Sequence, residues 1–414
     1  MRLSSVSWTA AALLGQAVVS LATPPVLGQY WPAYSAQVQN VSQFPWSHSS
    51  KNGLAYYFVT ETNADGFSLP EGQSADDLKA FALQAKQHGV RPVFSIGGWS
   101  GSRYYSDLVA TAASRSKFAK QIAAFMDKHG YVGVDLDWEY PNAEGIGCNK
   151  RRPEDAANLL AFLKTLRSVL GHEKVITAAV STEGFLGPDG QPLSDFSDYG
   201  KYLDYINLMT YDVAGSWSST TGPNAPLRKC KSGTSVETAV KRWTSRGFPA
   251  SKILLGIPSY AISFTTKSSS LSTSVIRGGK WHSQAYQAWT GVVPQGPPSD
   301  SNQRTTDECG NVSAGYSGQW RYCELVANGL LQSNGRSGAN GFVRHWDDCS
   351  LAPFLFHSEK RHYISYEDSK SVAIKAKWAM KQGLGGVFVF DSTGFDSNVY
   401  DSITSALYAR RSRK

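Results

Sequence analysis

The chain has 414 residues, a formal net charge of +8 and 41% hydrophobic residues. This length exceeds that of one small domain and suits a large barrel that carries an insertion. Four of the basic residues lie in the last five positions, so the globular part is only mildly basic, and no nucleic-acid-binding signature is present. A frayed tail is the simple interpretation of that cluster, and weak adhesion to an anionic cell wall is the alternative.

The amino terminus has the pattern of a cleaved signal peptide. Arg2 precedes apolar stretches at 8–14 and 18–22, which end in small residues before Pro24. This pattern predicts a signal peptide at 1–22 and therefore a secreted, extracellular protein, with a buried first helix as the alternative. No later segment approaches the roughly 20 apolar residues of a membrane-spanning helix, so we expect no membrane association.

Short β-type runs alternate with amphipathic helical segments along most of the chain. The predicted strands are 26–31, 54–60, 92–97, 132–137, 175–181, 205–211, 253–259 and 386–391. The predicted helices, with apolar residues three and four apart, include 75–88, 116–129, 153–170, 234–246 and 369–382. Eight alternating units predict an α/β fold of the closed (β/α)8 TIM-barrel type.

The alternation stops after Tyr260 and resumes near Ser369. A structureless loop of this length is unusual in a compact domain. We therefore predict a small α+β insertion domain at 262–366, between strand 7 and helix 7. The barrel would then consist of 23–261 and 367–414.

The cysteines of an exported chain predict disulfides. They are Cys148, Cys230, Cys309, Cys323 and Cys349, and none has the CxxC spacing of a zinc site. We expect Cys148 to pair with Cys230 and Cys309 with Cys349, although a sequence alone does not determine connectivity. Sequons at Asn40 and Asn311 agree with a secreted glycoprotein.

Three carboxylates on the fourth predicted strand point to chemistry. Asp135, Asp137 and Glu139 occupy alternate positions, and strand side chains alternate between faces, so all three share one face. In a barrel that face is the interior, with Glu139 nearest the catalytic mouth. Burial of neighbouring acids is unfavourable unless they share protons, so we expect at least one raised pKa.

Two other interpretations of these acids are weaker. A solvated edge strand would leave the intervening Val134, Leu136 and Trp138 without an apolar layer behind them. A metal site would use carboxylates, but no histidine or Asn/Asp ladder lies nearby to complete it. We therefore predict no metal.

At these residues the sequence resembles glycoside hydrolase family 18, whose fourth-strand motif is DxxDxDxE. The other matching segments are 95–99 (SIGGW, for SxGG on strand 3), 209–212 (MTYD, for MxYD on strand 6) and 256–260 (GIPSY, on strand 7). The resemblance covers nearly the whole chain after the signal peptide. The insertion, which ends in Tyr366-Glu367-Asp368-Ser369, is similar to that of fungal members with a deep substrate groove. The resemblance implies a chitinase that acts on β-1,4-linked N-acetylglucosamine in chitin and chitooligosaccharides.

The resemblance also implies a retaining mechanism assisted by the substrate and independent of any cofactor. Glu139 would be the catalytic acid and base, and Asp137 would stabilise the oxazolinium intermediate and orient the acetamido group. Asp135 would share a proton with Asp137 and help to keep Glu139 protonated at rest. Tyr211 would hydrogen-bond the acetamido oxygen, and Asp212 would help to bind the same sugar.

Further positions match sugar-binding positions of the family. They are Tyr30, Phe58, Gly98, Trp99, Tyr140, Met209, Trp217 and Tyr260. We also expect Trp346 to line the groove from the insertion. For each aromatic residue the alternative is a core position, because buried Trp and Tyr are more often core residues.

Two positions depart from the family pattern. Val132 replaces the first Asp of the fourth-strand motif, but its parity places it with Val134 and Leu136, facing the helices, so we expect no loss of catalysis. Phe390 replaces a Trp that forms the floor of the cleavage subsite in many members. A smaller platform is expected to alter sugar affinity or chain-length preference.

The sequence leaves two other functions open on the same barrel. One is an endo-β-N-acetylglucosaminidase, whose members usually lack this insertion. The other is a chitin-binding, lectin-like protein, in which the catalytic glutamate is typically lost, whereas Glu139 is present here. A monomer is the default expectation.

Overall fold

The computed structural model describes residues 24–49, 52–231, 233–276 and 281–409. The predicted signal peptide and the basic cluster at the carboxyl terminus lie outside these ranges. Among the described residues no helix combines the length and the apolar character needed to cross a bilayer.

The secondary structure consists of strands and helices that alternate over most of the chain. The strands are β1 Val26–Pro32, β2 Leu54–Asn63, β3 Gly66–Ser68, β4 Arg91–Gly97, β5 Gly133–Asp137, β6 Val175–Val180, β7 Tyr205–Leu208, β8 Ile253–Pro258, β9 Tyr260–Thr265, β10 Ser274–Ile276, β11 Trp281–Ser283, β12 Thr305–Thr306, β13 Val312–Ser313, β14 Gln319–Arg321, β15 Val343–Asp347, β16 Ala352–His357, β17 His362–Ser365 and β18 Gly386–Phe390. The helices are α1 Ala75–Gln87, α2 Gly98–Gly101, α3 Tyr105–Val109, α4 Ala112–His129, α5 Asp155–Leu170, α6 Tyr199–Tyr202, α7 Val236–Ser245, α8 Tyr322–Ala327, α9 Ser369–Lys381 and α10 Ser397–Leu407.

Eight parallel strands form a closed barrel. Their order is β1-β18-β8-β7-β6-β5-β4-β2, and β1 pairs in parallel with both β18 and β2, which closes the ring. The predicted (β/α)8 TIM barrel is confirmed. The sixth barrel strand, β7, ends at Leu208, earlier than the predicted 211.

Strand parity divides the buried residues into two layers. Val134 and Leu136 of β5 belong to the large apolar layer between barrel and helices. Inside the barrel, a smaller cluster contains Tyr30, Tyr56 and Phe388. Alternation of side chains along β5 therefore directs its carboxylates into the barrel interior, as predicted.

The insertion is built on a second, antiparallel sheet. Its five strands run in the order β14-β9-β17-β16-β15. This sheet begins with β9 at Tyr260, earlier than the predicted boundary at 262, because the chain turns at Ser259 directly after β8. The Ser259 hydroxyl donates to the Asp391 carbonyl at 2.7 Å and so holds that turn against the end of β18.

The segment that ends the insertion returns the chain to the barrel through charged contacts. Asp368 caps α9, because its Oδ1 accepts from Lys370 N at 2.9 Å, and its Oδ2 accepts from Arg344 Nε of β15 at 2.9 Å. Glu367 forms a completely buried ion pair with Lys375 of α9 at 2.6 Å. These contacts hold the end of the insertion against β15 and α9.

The cysteine pairing differs from the prediction. The disulfides join Cys148 to Cys309 and Cys230 to Cys349, and Cys323 is free. Each disulfide ties a loop of the barrel to the insertion. The predicted pairs were wrong because spacing along the chain does not report which distant loops meet in space.

Candidate active site

The three carboxylates lie at and beyond the carboxyl end of β5. Asp135 and Asp137 are buried inside the barrel, whereas Glu139 follows the strand and is partly exposed at its mouth. The carboxyl ends of parallel barrel strands converge on one face, where catalytic residues of this fold are found. The structure therefore places these acids where the strand pattern predicted them.

Asp135 is the most completely hydrogen-bonded of the three acids. Its Oδ2 accepts from the hydroxyls of Tyr30 and Ser95, both at 2.8 Å. Its Oδ1 accepts from Thr177 Oγ1 at 2.6 Å and Asn207 Nδ2 at 3.2 Å. Burial is the larger effect and raises the pKa of Asp135 above its usual value, and these four donors partly offset the rise. The donors favour the ionised carboxylate, whereas burial favours the neutral acid.

Asp137 has the opposite surroundings. Its Oδ1 is buried and has no hydrogen-bond partner among the described residues. Burial, followed by the charges of Glu139 and Asp135, raises the pKa of Asp137 well above its usual range. A neutral, protonated Asp137 beside an ionised Asp135 satisfies both effects.

Glu139 has the properties of a general acid at neutral pH. Burial raises its pKa to about 7, with a smaller contribution from the charge of Asp212, while a hydrogen bond from the Tyr140 side chain opposes the rise. A general acid works best when its pKa lies near the operating pH. Glu139 can therefore hold a proton at rest and release it during a reaction.

Two glycines allow β4 to approach the acid strand closely. A Cβ on Gly97 would collide with the Asp137 carbonyl. A Cβ on Gly98 would lie 3.0 Å from Phe58 Cζ and 3.7 Å from Asp137 Oδ2, and both glycines have positive φ. Gly98 therefore provides space beside Asp137, which is the structural reason for the glycine pair of the SxGG segment.

The residues that follow β7 form one side of the site. The Tyr260 hydroxyl donates to Asp212 Oδ1 at 2.7 Å, and the Tyr211 ring lies 6.2 Å from that of Tyr260. Met209 packs with Tyr211 against the interior cluster. Asp212 N donates to Asn224 Oδ1 at 2.8 Å, which fixes Asp212 in its left-handed conformation.

Aromatic rings form the floor between these elements. Phe390 stacks on Tyr211 with ring centroids 6.0 Å apart. It also forms edge-to-face pairs with Phe58 and Tyr30, whose ring centroids lie 5.4 Å and 5.7 Å from its own. Phe390 is partly exposed, so it can present a ring to a sugar. Phe58 is buried beneath it and supports that surface.

Two of the predicted sugar-binding residues have surroundings that the sequence did not reveal. Tyr30 is only 2% exposed and its hydroxyl donates to Asp135, so it supports the acid. Trp346 lies on the outer strand β15, and the Lys370 ammonium is 3.6 Å from the centre of its ring. A cation therefore lies over one face of the indole, and Trp346 remains partly exposed. Strand parity could not reveal either fact.

Other aromatic side chains project into solvent near the mouth. Trp99 and Trp217 are 52% and 64% exposed. Trp99 lies in the short helix α2 directly after β4, and Trp217 lies in the loop that follows β7. Tyr34, which sequence analysis missed, is 52% exposed in the segment that follows β1. Large exposed aromatic residues at the mouth are suitable platforms for sugar rings.

Sequence analysis also missed the polar residues that support the acids. In the predicted strand 205–211, Asn207 shares a face with Met209 and Tyr211 by period two, so its position could have been found from parity. Thr177 on β6 had the same signal. Ser102 and Asn149 lie in loops, where no periodicity applies, and only the folded chain brings them to Glu139.

Comparisons with known proteins agree with this architecture. Residues 29–394 match the family described as glycosyl hydrolases family 18. A chitinase-like effector of Moniliophthora roreri is 34% identical over 398 residues, which cover 91% of this chain and 92% of that protein. Chitinase A1 of Niallia circulans is 27% identical over 75% of this chain and 42% of its own length. The crystal structure of a chitinase from Rhizomucor miehei aligns with a TM-score of 0.79 at 28% identity, over 92% of this chain and 98% of that one.

Proposed function

The chain belongs to glycosyl hydrolase family 18 and is a glycoside hydrolase of the chitinase type, and we propose that it is a secreted enzyme that cleaves β-1,4 linkages of chitin and chitooligosaccharides. The observation that carries this proposal is the partly exposed Glu139, whose pKa is raised to about 7 directly beyond the buried Asp137. The arrangement combines a neutral acid with a second carboxyl group on the same strand face.

In the first step, Glu139 donates its proton to the glycosidic oxygen, and the bond from that oxygen to the anomeric carbon breaks. The carbonyl oxygen of the substrate's own acetamido group attacks the anomeric carbon from the opposite side and forms an oxazolinium ion. Asp137 turns towards the acetamido nitrogen, passes its proton to Asp135 and, as a carboxylate, stabilises the developing positive charge. The Tyr211 hydroxyl orients the acetamido oxygen, and Asp212 binds the same sugar.

In the second step, water attacks the anomeric carbon from the side that the leaving group has vacated. Glu139, now a carboxylate, takes the proton of that water, the oxazolinium ring opens, and the acid is restored. Two inversions at one carbon give retention of configuration, as expected for the substrate-assisted class of glycosidase. When the positive charge of the oxazolinium ring is lost, the proton returns from Asp135 to Asp137.

Two observations support secretion. The amino-terminal sequence has the pattern of a signal peptide, and two disulfides join the insertion to the barrel. Disulfides persist in oxidising compartments and are rare in the cytosol. We therefore place the mature protein outside the cell.

A second candidate function is chitin binding without turnover. The Moniliophthora roreri relative is named a chitinase-like effector, not a chitinase. Such a protein would keep the groove and its exposed aromatic residues, but it would not need a working acid. The presence of Glu139 with a raised pKa favours hydrolysis.

Product analysis of chitohexaose distinguishes these functions. Wild-type protein, Glu139→Gln and the control Glu144→Gln, an exposed acid on the same loop, are incubated with the hexamer, and the anomeric form of early products is followed by NMR. We expect short β-anomeric oligomers from wild type and Glu144→Gln and at least a thousandfold slower release from Glu139→Gln. Binding of the hexamer by wild type without any cleavage would establish the second candidate function instead.

A further inference from the structure

The loop between β5 and α5, residues 138–154, carries Glu139 and is tied to its surroundings at both sides of that residue. Glu139 N donates to Ser102 Oγ at 3.0 Å. The carbonyl oxygen of Glu139 accepts from Asn149 Nδ2 at 2.7 Å. The backbone polar groups of Glu139 are therefore both held by side chains from outside β5.

Gly145 packs directly against the hydrogen bond between Asn149 and Glu139. It has a positive φ, and a Cβ at this position would collide with both the Glu139 carbonyl and Asn149 Nδ2. Lys150 N donates to the Arg103 carbonyl at 2.9 Å, which fixes the chain directly after Asn149. Movement of this part of the loop would displace the Glu139 carbonyl.

The insertion holds the same part of the loop. A small hairpin made of β12, β13 and the turn between them, residues 305–313, reaches the loop at two points. Cys309 forms the disulfide with Cys148, the residue before Asn149, with Cα atoms 5.4 Å apart. Asn311 Nδ2 donates to the Ile146 carbonyl at 3.1 Å.

The hairpin turn is itself rigidly organised. Asp307 Oδ1 accepts from the backbone N–H groups of Cys309 at 2.9 Å and Asn311 at 2.8 Å. Asp307 Oδ2 accepts from Asn311 Nδ2 at 2.9 Å. Both Nδ2 hydrogens of an unglycosylated Asn311 are thereby used, one within its own turn and one on the loop that carries Glu139, so the two segments are joined covalently and by hydrogen bonds.

We propose that Asn149 is a positioning residue for Glu139, and that the Cys148–Cys309 disulfide keeps Asn149 in place from the insertion. This inference rests on the proposed chitinase function for its kinetic readout only. The second disulfide, Cys230–Cys349, also joins the insertion to the barrel. Its barrel cysteine, Cys230, lies in the loop between β7 and α7, and within the described residues neither cysteine forms a hydrogen bond with residues 138–154. This disulfide provides a matched control.

The test compares Asn149→Ala, Cys148→Ser/Cys309→Ser, the triple variant that combines them, and Cys230→Ser/Cys349→Ser. We expect the first two variants to lose about tenfold in kcat on chitohexaose with KM within about twofold, because the acid is misplaced while the groove persists. The triple variant is expected to lose no more than the larger single effect, since both changes interrupt one chain of contacts. The control pair should lose thermal stability but keep kcat.

A second readout does not depend on turnover. The titration of the Glu139 carboxyl, observed by NMR with labelled glutamate and assigned with Glu139→Gln, should have an altered midpoint in Asn149→Ala and in the Cys148/Cys309 variant, but not in the Cys230/Cys349 variant. If wild type cleaves no chitooligosaccharide, the proposed function fails, and this titration still decides the positioning role. Unchanged kcat and unchanged titration in Asn149→Ala, which retains both disulfides, would overturn the proposal even where the serine variants do not fold.

Discussion

Asp135 and Asp137 share one face of β5, but only Asp135 has its oxygens surrounded by hydrogen-bond donors. Four side chains donate to Asp135, whereas Asp137 Oδ1 has no partner within the described residues. Of the two acids, Asp137 therefore has the surroundings that more strongly favour the neutral form, and the donors around Asp135 favour its carboxylate. This asymmetry leaves Glu139 free to serve as the acid.

The first prediction concerns the pH dependence of activity. In the proposed mechanism Glu139 is the acid and must be protonated, and its pKa is raised from 4.5 to about 7. Activity is therefore retained from the ordinary carboxyl range up to neutral pH and is lost as pH rises through about 7. The alkaline limb of kcat/KM measures this midpoint in the free enzyme.

A variant tests the cause of that midpoint. The negative charge of Asp212 contributes to the raised pKa of Glu139, so Asp212→Asn should move the alkaline limb to lower pH. The maximal kcat/KM will also fall if Asp212 binds sugar. The pH midpoint of the alkaline limb is therefore the quantity to compare between the variant and wild type. A wild-type midpoint near 4.5 would contradict the environment that we describe for Glu139.

The second prediction assigns Tyr30 to support of Asp135. Tyr30→Phe removes one donor from a buried carboxylate, and a hydrogen bond to a charged group contributes about 1.5–3 kcal/mol. We expect kcat to fall by about tenfold or more while KM changes little. Ser95→Ala, which removes the other donor to the same oxygen, is the matched variant. An increased KM with unchanged kcat would indicate instead that Tyr30 contacts the sugar.

The third prediction concerns the floor of the site. Phe390→Ala should weaken chitohexaose binding by about 1–2 kcal/mol through loss of a stacking surface, and Phe390→Trp should strengthen it. Calorimetry in a Glu139→Gln background measures binding without turnover. Val343→Ala, at an exposed position on β15, should leave the affinity unchanged. Equal affinities for the Ala, Phe and Trp forms would show that the ring makes no contact with the ligand.

The fourth prediction concerns stability. Lys375→Met leaves Glu367 buried without its partner, which should cost about 3–5 kcal/mol in the free energy of unfolding. Lys377→Met, an exposed lysine on the same helix, should change it by less than about 0.5 kcal/mol. Urea unfolding measures both values. Because Glu367→Leu removes the stranded charge, the double variant with Lys375→Met should recover most of the loss, and failure to recover it would exclude the buried charge as the cause.

Local patterns were sufficient to predict the barrel and the acids. The period-two alternation of Asp135, Asp137 and Glu139 with apolar residues places the acids inside any sheet whose other face is covered. The same parity was available for Asn207 and Thr177, which we did not use. Periodicity also indicated where the insertion interrupts the barrel, although its sheet begins at Tyr260, earlier than expected.

Contacts between distant segments were not predictable in this way. The cysteine pairs, the coverage of Trp346 by Lys370 and the approach of Asn149 to Glu139 depend on how loops meet in space. A loop lacks the regular backbone repeat of a strand or helix, so the position of a residue in the sequence does not indicate where its side chain points. Several pairings of five cysteines therefore suit the same sequence.

The sequence by itself determined the barrel, the acid strand and the likeness to family 18, because strand and helix periods translate directly into buried and exposed faces. Only the tertiary structure decided the surroundings that shift the pKa values of the acids and the contacts that support Glu139. A carboxyl pKa depends on burial and on donors within a few ångströms, and for Asp135 those donors come from β1, β4, β6 and β7. Closure of the barrel is what brings these four strands around one side chain.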